Sequence, residues 1–229
     1  METKNIINKY KNPNLEKFKH IITSKIKKRI KSFDGDLSTL HKNLDVQDVN
    51  KLRIFLFTEI NKLNWEQLIL NLCGDEISKI LGSDILVQSK INLSIQMPND
   101  PNSLLPAHAD CWSAETPFQI NLWIPLTNTY ETNSMFIWNE RKSVNLMKRI
   151  NKDVSNRLNL NKLKINKNDF LRMKYGQILI FNPALIHGNV ENKTSKTRIS
   201  MNLRLKSFFS PEPGSRNPDR KFGTFYKKL

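Results

Sequence analysis

The spacing of apolar residues changes once along this chain, at Gly82, and this change limits the folds open to it. Before Gly82 the apolar residues recur every three or four positions, a period typical of amphipathic helices. After Gly82 they alternate with polar residues, as in strands that bury one face. Helices followed by strands predict an α+β fold, in which the strand region closes into a sandwich or barrel.

Three helices are predicted in an N-terminal region that spans residues 1–85. The first carries its apolar stripe on residues 15–30, the second begins near Asp45, and the third covers residues 65–81. Gly74 is a candidate break in the third helix, because glycine weakens a helix interior. Lysines separate the apolar residues of the first helix, which is a pattern also found at membrane surfaces, but we expect this region to pack on the barrel.

Alternating residues predict a strand domain over residues 86–208. The clearest alternation is in residues 91–97, 118–126 and 199–205, and a shorter, more uniformly apolar strand is predicted at 177–181. A basic stretch at 141–174 interrupts the strands, and we expect it to be an insertion over the barrel. Residues 209–229 form a C-terminal tail that contains several prolines.

The charge of the chain is strongly positive. Its 229 residues include 37 Lys and Arg against 21 Asp and Glu, which gives a formal net charge of +16. That excess suits an anionic partner, but AT-rich coding, which also favours Asn and Ile, accounts for it without any binding role. Two cysteines cannot build a disulfide framework, and the sequence contains no membrane-spanning apolar run and no signal peptide. We therefore expect a cytoplasmic protein without a membrane partner.

Two of the four histidines occur in a pattern that fits a metal site. His108 and Asp110 are two positions apart, so in an extended segment both side chains point to the same side. His187 follows a predicted apolar strand. Two imidazoles and one carboxylate are the ligand set of non-haem Fe(II) oxygenases. The other two, His20 and His41, have no ligand-like neighbours, and we expect them to be surface or packing residues.

A second pattern follows His187 along the chain. Arg198 comes eleven residues later, and Ser200 lies on the same face of the predicted strand. A guanidinium binds a planar carboxylate through two parallel hydrogen bonds, and a hydroxyl two residues away can add a third. Because the flanking sequence offers Arg198 no acidic partner, an anionic ligand is expected here.

Together these motifs resemble the Fe(II)/2-oxoglutarate dioxygenase superfamily. Their order is His108-x-Asp110, then His187-Gly188, then Arg198-x-Ser200. The segments PFQINLWIPLTNTYETNSMFIW and GQILIFNPALIHGNVENKTSKTRISMNLR resemble the phytanoyl-CoA dioxygenase-like branch. Within that branch the chain is similar to small oxygenases encoded among carbohydrate-biosynthesis genes. The resemblance covers roughly residues 86–208.

The resemblance implies a double-stranded β-helix, which is a jelly-roll or cupin-like barrel, flanked by the N-terminal helices. It implies that His108, Asp110 and His187 hold Fe(II) and that the remaining coordination positions take 2-oxoglutarate and O2. Arg198 and Ser200 would bind the distal carboxylate of 2-oxoglutarate. The implied activity is hydroxylation of a small polar substrate, either a carbohydrate or an activated sugar derivative.

Further candidates come from side chains that share a strand face. Asn92 and Gln96 either contact 2-oxoglutarate or satisfy polar groups inside the barrel. Trp112 lies in the loop expected beside the iron, where it is a candidate for substrate contact. Asn121 and Trp123 share a face of their strand and are also substrate candidates, although a tryptophan is more often a core residue.

Arg204 shares the strand face of Arg198 and leaves two alternatives open. It either binds an anionic group of the substrate or pairs with Glu115 or Glu131. The two arginines also form an Arg-x5-Arg pattern, which resembles alkylation-repair dioxygenases that act on nucleic acid, and the net charge would suit such a ligand. A non-catalytic barrel that binds an anion is the other alternative. The oligomeric state stays open.

Overall fold

The computed structural model describes residues 4–113, 115–152, 163–211 and 219–229. The fold is α+β, as the change of period predicts. Parts of the predicted insertion at 141–174 and of the predicted tail at 209–229 lie outside the described residues. Among the described residues, no helix is long and apolar enough to cross a membrane.

The three predicted N-terminal helices are confirmed. They are α1 (Pro13–Arg29), α2 (Val46–Ile60) and α3 (Trp65–Leu81), and a fourth helix, α4 (Glu140–Lys152), lies within the predicted insertion. The third helix kinks at Cys73, one residue before the predicted break. It ends at Gly82, whose φ of +85° is a conformation that glycine adopts without steric cost.

The described residues contain nine strands, which follow or flank these helices. They are β1 (Lys4–Asn8), β2 (Ile85–Gln88), β3 (Asn92–Gln96), β4 (Gln119–Pro125), β5 (Phe136–Ile137), β6 (Gln177–Phe181), β7 (His187–Gly188), β8 (Arg198–Ser207) and β9 (Tyr226–Lys228). The four strands predicted from the sequence are β3, β4, β6 and β8. The other five are short, and periodicity alone does not detect them.

The strands form a seven-stranded and a two-stranded sheet. In the large sheet the order is β1-β6-β4-β8-β2-β9, and β3 also pairs with β8, while β5 and β7 form the small sheet. All of these pairs are antiparallel. The ten-residue β8 is central, because β4 covers one of its edges and β3 and β2 share the other.

Strands β1 and β9 close the two outer ends of the large sheet. Strand β1 pairs with β6, although the helical prediction for residues 1–85 did not include a strand. Its sequence, KNIIN, is polar and partly exposed, as is common for edge strands that resist aggregation. Strand β9 pairs with β2, so the end of the predicted tail is packed.

The two faces of β8 have opposite characters. Ile199, Met201, Leu203 and Leu205 are fully buried and join the main core, which also contains the apolar faces of the three N-terminal helices. The alternate residues of β8 carry arginine, serine and asparagine, and they face away from the helices. The helices therefore close one side of the sheet, and the other side is left for polar side chains.

Truncation of Leu203 should destabilise the fold strongly. Leu203→Ala removes a fully buried side chain from the central strand, and we expect the free energy of unfolding to fall by about 2–5 kcal/mol. Urea denaturation measures this loss. Leu104→Ala is the matched control, because Leu104 is exposed and its truncation should cost less than about 0.5 kcal/mol. Equal losses in the two variants would contradict this assignment of the core.

Candidate functional site

A backbone bridge between two distant segments brings the predicted metal ligands together. The amide of His108 donates to the carbonyl of His187 at 3.0 Å, and the amide of His187 donates to the carbonyl of His108 at 2.9 Å. The amide of Asp110 donates to the carbonyl of Pro183 at 2.9 Å. One potential ligand atom from each of His108, Asp110 and His187 therefore lies within 4.8 Å of the other two.

The ring orientation of both histidines is set by backbone carbonyls. The Nδ1 atom of His108 lies 2.8 Å from the carbonyl oxygen of Pro106, and that of His187 lies 2.8 Å from the carbonyl oxygen of Leu185. A carbonyl can only accept a hydrogen bond, so each Nδ1 carries the proton. In the neutral ring Nε2 then has the free lone pair, which is the form that binds a metal ion.

The charge states of the ligands also suit a cation. Burial and the neighbouring His108 lower the pKa of His187 to about 4, so this imidazole is neutral near neutral pH. Burial opposes the ionisation of Asp110, but the charges and hydrogen bonds of Arg204, His187 and Asn121 together outweigh it, so the pKa of this carboxyl is lowered. The site therefore presents a carboxylate and an unprotonated imidazole without needing to lose a proton first.

Both carboxylate oxygens of Asp110 accept hydrogen bonds from the protein. Arg204 donates from Nη2 to Oδ1 at 2.8 Å, and Asn121 donates to Oδ2. On its other side, Nε of Arg204 lies 3.7 Å from Oε1 of Glu115. Of the alternatives for Arg204, the structure thus shows pairing with Glu115, together with the predicted metal ligand Asp110, whereas Oε1 of Glu131 lies 3.5 Å from Nζ of Lys167.

A cavity of about 140 Å³ lies on the polar side of the large sheet. The predicted metal and anion residues meet there: the cavity is lined by His108, Asp110, His187, Arg198 and Ser200, and also by Asn121, Trp123 and Arg204. All eight belong to the residues proposed from the sequence. A space of this size is far larger than one water molecule needs, so it has room for an organic ligand.

Arg198 is buried in this cavity without an acidic partner among the described residues. It is 4% exposed, and its Nη2 donates to the hydroxyl of Ser94 at 3.2 Å. Its Nε has no hydrogen-bond partner, and its guanidinium lies 5.8 Å from the ring centre of Trp123. Burial lowers the pKa of Arg198 to about 10, which still leaves it charged near neutral pH. A buried, unpaired charge is costly unless an anion binds it.

The structure places some candidates away from the cavity. Gln96 and Asn92 are not among the lining residues, and the amide of Gln96 donates to the carbonyl of Val190. Trp112 is 40% exposed and also lies outside the lining.

Sequence reasoning missed four polar residues that do line the cavity: Ser103 and Asn189 outside the strands, and Ser94 and Asn202 within β3 and β8. Ser94 lies between Asn92 and Gln96 on β3 and pairs with Ser200 of β8. The signal was present in the alternation of both strands, because Ser94 and Asn202 each share the face of a predicted candidate. Alternation shows which face a polar residue occupies. Whether that residue reaches the cavity depends on how the strands pair in the folded sheet.

Comparison with known proteins identifies the family. A family model described as phytanoyl-CoA dioxygenase matches residues 7–200. The chain belongs to the phytanoyl-CoA dioxygenase family. The predicted resemblance to this branch is confirmed, and the match begins well before residue 86, where the predicted resemblance starts.

A relative and several solved structures resemble this member of the family. The streptomycin biosynthesis protein StrG of Streptomyces griseus is 24% identical over 153 residues, which are 66% of this chain and 59% of the relative. The chain thus spans less than two thirds of that relative's length.

Among solved structures, the non-heme monooxygenase ThoJ in complex with nickel has a TM-score of 0.54 at 15% identity, over 93% of this chain and 77% of ThoJ. HygX from Streptomyces hygroscopicus, with nickel and 2-oxoglutarate bound, has a TM-score of 0.53 at 12% identity, over 91% of this chain and 84% of HygX. At these identities the similarity shows a shared fold.

A side chain at Gly188 should disturb the metal site. A Cβ atom there would lie 2.6 Å from the carbonyl oxygen of Leu105 and 2.9 Å from that of Pro106, so Gly188→Ala must displace backbone beside His187. We expect affinity for Co(II), a spectroscopic substitute for Fe(II), to fall by at least about tenfold, as when the surroundings of a ligand are altered. Titration followed by visible absorbance measures this change.

Gly74→Ala is the control for that substitution. A Cβ atom at Gly74 meets nothing closer than 3.7 Å, so this variant should bind Co(II) like the wild type. Unchanged affinity in Gly188→Ala would mean that the bridge between His108 and His187 does not position the ligands.

Proposed function

We propose that this protein is an Fe(II)- and 2-oxoglutarate-dependent oxygenase that hydroxylates a small polar substrate. The observation that carries the proposal is the buried, unpaired guanidinium of Arg198 in the same cavity as the three potential metal ligands. An anion that reaches both the guanidinium and a metal ion needs acidic groups at two ends. A keto-diacid such as 2-oxoglutarate meets that requirement.

The fold proposed for this activity is a double-stranded β-helix. Its support is the antiparallel large sheet together with the small sheet, in which Ile137 pairs with His187. The structural similarity to ThoJ and HygX is also consistent with it. We further propose that residues 86–208 are the catalytic barrel and that the N-terminal helices support its large sheet from outside.

The donor set fits Fe(II), because two neutral imidazoles and one carboxylate leave coordination positions open for small ligands. When bound, iron supplies oxidative chemistry: with O2 and 2-oxoglutarate it oxidises a C–H bond of the substrate, and the co-substrate leaves as succinate and CO2. His108, Asp110 and His187 would hold the ion. Their roles follow from the carbonyls and the guanidinium that fix their orientation.

The remaining residues of the cavity orient the co-substrate and keep water out. Arg198 would pair with the distal carboxylate of 2-oxoglutarate, and the hydroxyls of Ser94 and Ser200 are placed to add hydrogen bonds. Apolar walls strengthen these interactions, because charges attract more strongly where water is absent. The apolar side chains of the lining are Leu105, Trp123, Met135 and Phe181.

A carbohydrate or an activated sugar is the proposed substrate class. Support comes from the relative named for streptomycin biosynthesis and from a HygX structure with hygromycin B bound. Asp110 is the only acid among the described lining residues, and it is a proposed metal ligand. A sugar rich in amino groups would therefore find no free carboxylate in this cavity, whereas a neutral or acidic sugar would meet the side chain of Asn202.

Loss of the Arg198 guanidinium should weaken co-substrate binding far more than metal binding. In Arg198→Ala we expect 2-oxoglutarate affinity to fall by about 2–4 kcal/mol, which is roughly 30- to 700-fold, while Co(II) affinity changes little. Anaerobic titration with Co(II) and then 2-oxoglutarate separates the two. Arg172→Ala removes an exposed arginine and should leave both affinities unchanged. Equal losses of metal and co-substrate would contradict the role of Arg198.

Succinate release distinguishes the proposed oxygenase from the alternatives. The wild type with Fe(II), 2-oxoglutarate and O2 should form succinate faster when the right nucleotide sugar, acidic sugar or acyl-CoA ester is added. Ligand binding without succinate would support an anion-binding barrel instead. Stimulation by alkylated DNA or RNA, with steeply salt-dependent affinity, would support the nucleic-acid alternative.

A further inference from the structure

The hydroxyl of Tyr226 lies where two paths of polar contacts from the proposed metal ligand Asp110 meet, one through ion pairs and one through hydrogen bonds. Its oxygen is 3.0 Å from Oε2 of Glu115 and 2.9 Å from Oε1 of Gln119. Tyr226 belongs to β9, at the C-terminal end of the chain, and it is 1% exposed. A buried hydroxyl beside two acceptor oxygens is therefore part of the surroundings of the proposed metal centre.

The first path runs through charged groups. Glu115 lies 3.7 Å from Nε of Arg204, and Arg204 donates to Oδ1 of Asp110 at 2.8 Å. Arg220 also donates to Glu115 from the C-terminal segment. The carboxylate of Glu115 is nearly fully buried, so these contacts act in a poorly screened environment.

The second path runs through amides and ends on the other oxygen of the same ligand. Gln119 donates from Nε2 to Oδ1 of Asn121 at 3.3 Å. Asn121 in turn donates to Oδ2 of Asp110. The two paths therefore hold the two oxygens of Asp110 from opposite sides and join at Tyr226.

The tyrosine is held in place by the sheet and remains a donor. Tyr226 pairs with Gln88 of β2, and the side chain of Gln88 accepts from the amide of Arg204 at 3.0 Å. Burial and the carboxylate of Glu115 raise the pKa of Tyr226, so its hydroxyl stays protonated. With one hydrogen, it donates to one acceptor at a time.

We propose that Tyr226 is a positioning residue for Asp110, and that docking of β9 therefore completes the metal centre from outside the cavity. The proposal rests on the proposed function, because it needs a metal ion at His108, Asp110 and His187. The physical reason is that a carboxylate ligand keeps one orientation only if the groups that donate to it are themselves held. Without the hydroxyl, Glu115 and Gln119 lose the donor that either side chain can accept from.

The test is Co(II) binding to the full-length Tyr226→Phe variant. This substitution keeps the ring and its packing and removes only the hydroxyl. We expect Co(II) affinity to fall by about 3- to 10-fold, less than for direct partners of a ligand, and the visible d–d absorption bands to shift because the orientation of Asp110 changes. A purely structural role would lower the melting temperature of the protein without moving those bands.

Two further variants complete the test. One is a control, and the other probes the same path without changing Tyr226, so it remains informative if Tyr226→Phe folds poorly. Tyr175→Phe removes a hydroxyl from a tyrosine packed against the helical core, and it should leave Co(II) affinity and spectrum unchanged. Glu115→Gln keeps the shape of the side chain and weakens its hold on Arg204, so it should reduce Co(II) affinity in the same direction. If the two residues act along one path, the double variant should lose less than the product of the single losses.

The outcomes separate this inference from the proposed function. A wild-type protein that binds no Co(II) would overturn both. Wild-type binding, together with unchanged affinity and spectrum in Tyr226→Phe, would overturn the role of Tyr226 alone. Fully multiplicative losses in the double variant would overturn the path through Glu115.

Discussion

The pair of backbone hydrogen bonds between His108 and His187 is the interaction on which the candidate site depends. It joins two segments that are far apart in the chain, and His187 also pairs with Ile137 in the small sheet. Gly188 allows this approach, because the carbonyls of Leu105 and Pro106 occupy the space a side chain would need. Ring orientation then follows from local carbonyls, so the geometry of the ligands is built largely from the backbone.

Two arginines on one face of β8 show how charge is divided in the site. Arg204 is balanced by Asp110 and Glu115, and it thereby stabilises a ligand and becomes part of the protein's own structure. Arg198 has only the Ser94 hydroxyl as a hydrogen-bond partner among the described residues. Because burying a charge is costly, the unbalanced arginine is the one for which we propose a ligand from outside the chain.

Several features could be predicted from the sequence, and others could not. The three N-terminal helices and the strands β3, β4, β6 and β8 followed from periodicity, because burial of one face imposes that period. Strands β1 and β9 were missed, since short edge strands with lysines carry no such pattern. In the same way, alternation placed Ser94 and Gln96 on one face, but only the cavity shows that Ser94 faces Arg198 and that Gln96 contacts Val190.

The sequence by itself determined the chemical types at the site and the faces they occupy: two imidazoles, a carboxylate and a guanidinium on segments with strand character. Those properties are local, because side-chain direction follows from the backbone within a few residues. Only the tertiary structure decided which charged groups pair with each other. It also placed Tyr226, from the end of the chain, in contact with Glu115 and Gln119 near Asp110. Pairing of this kind depends on how distant segments pack, and that packing sums many weak contacts that no short stretch of sequence encodes.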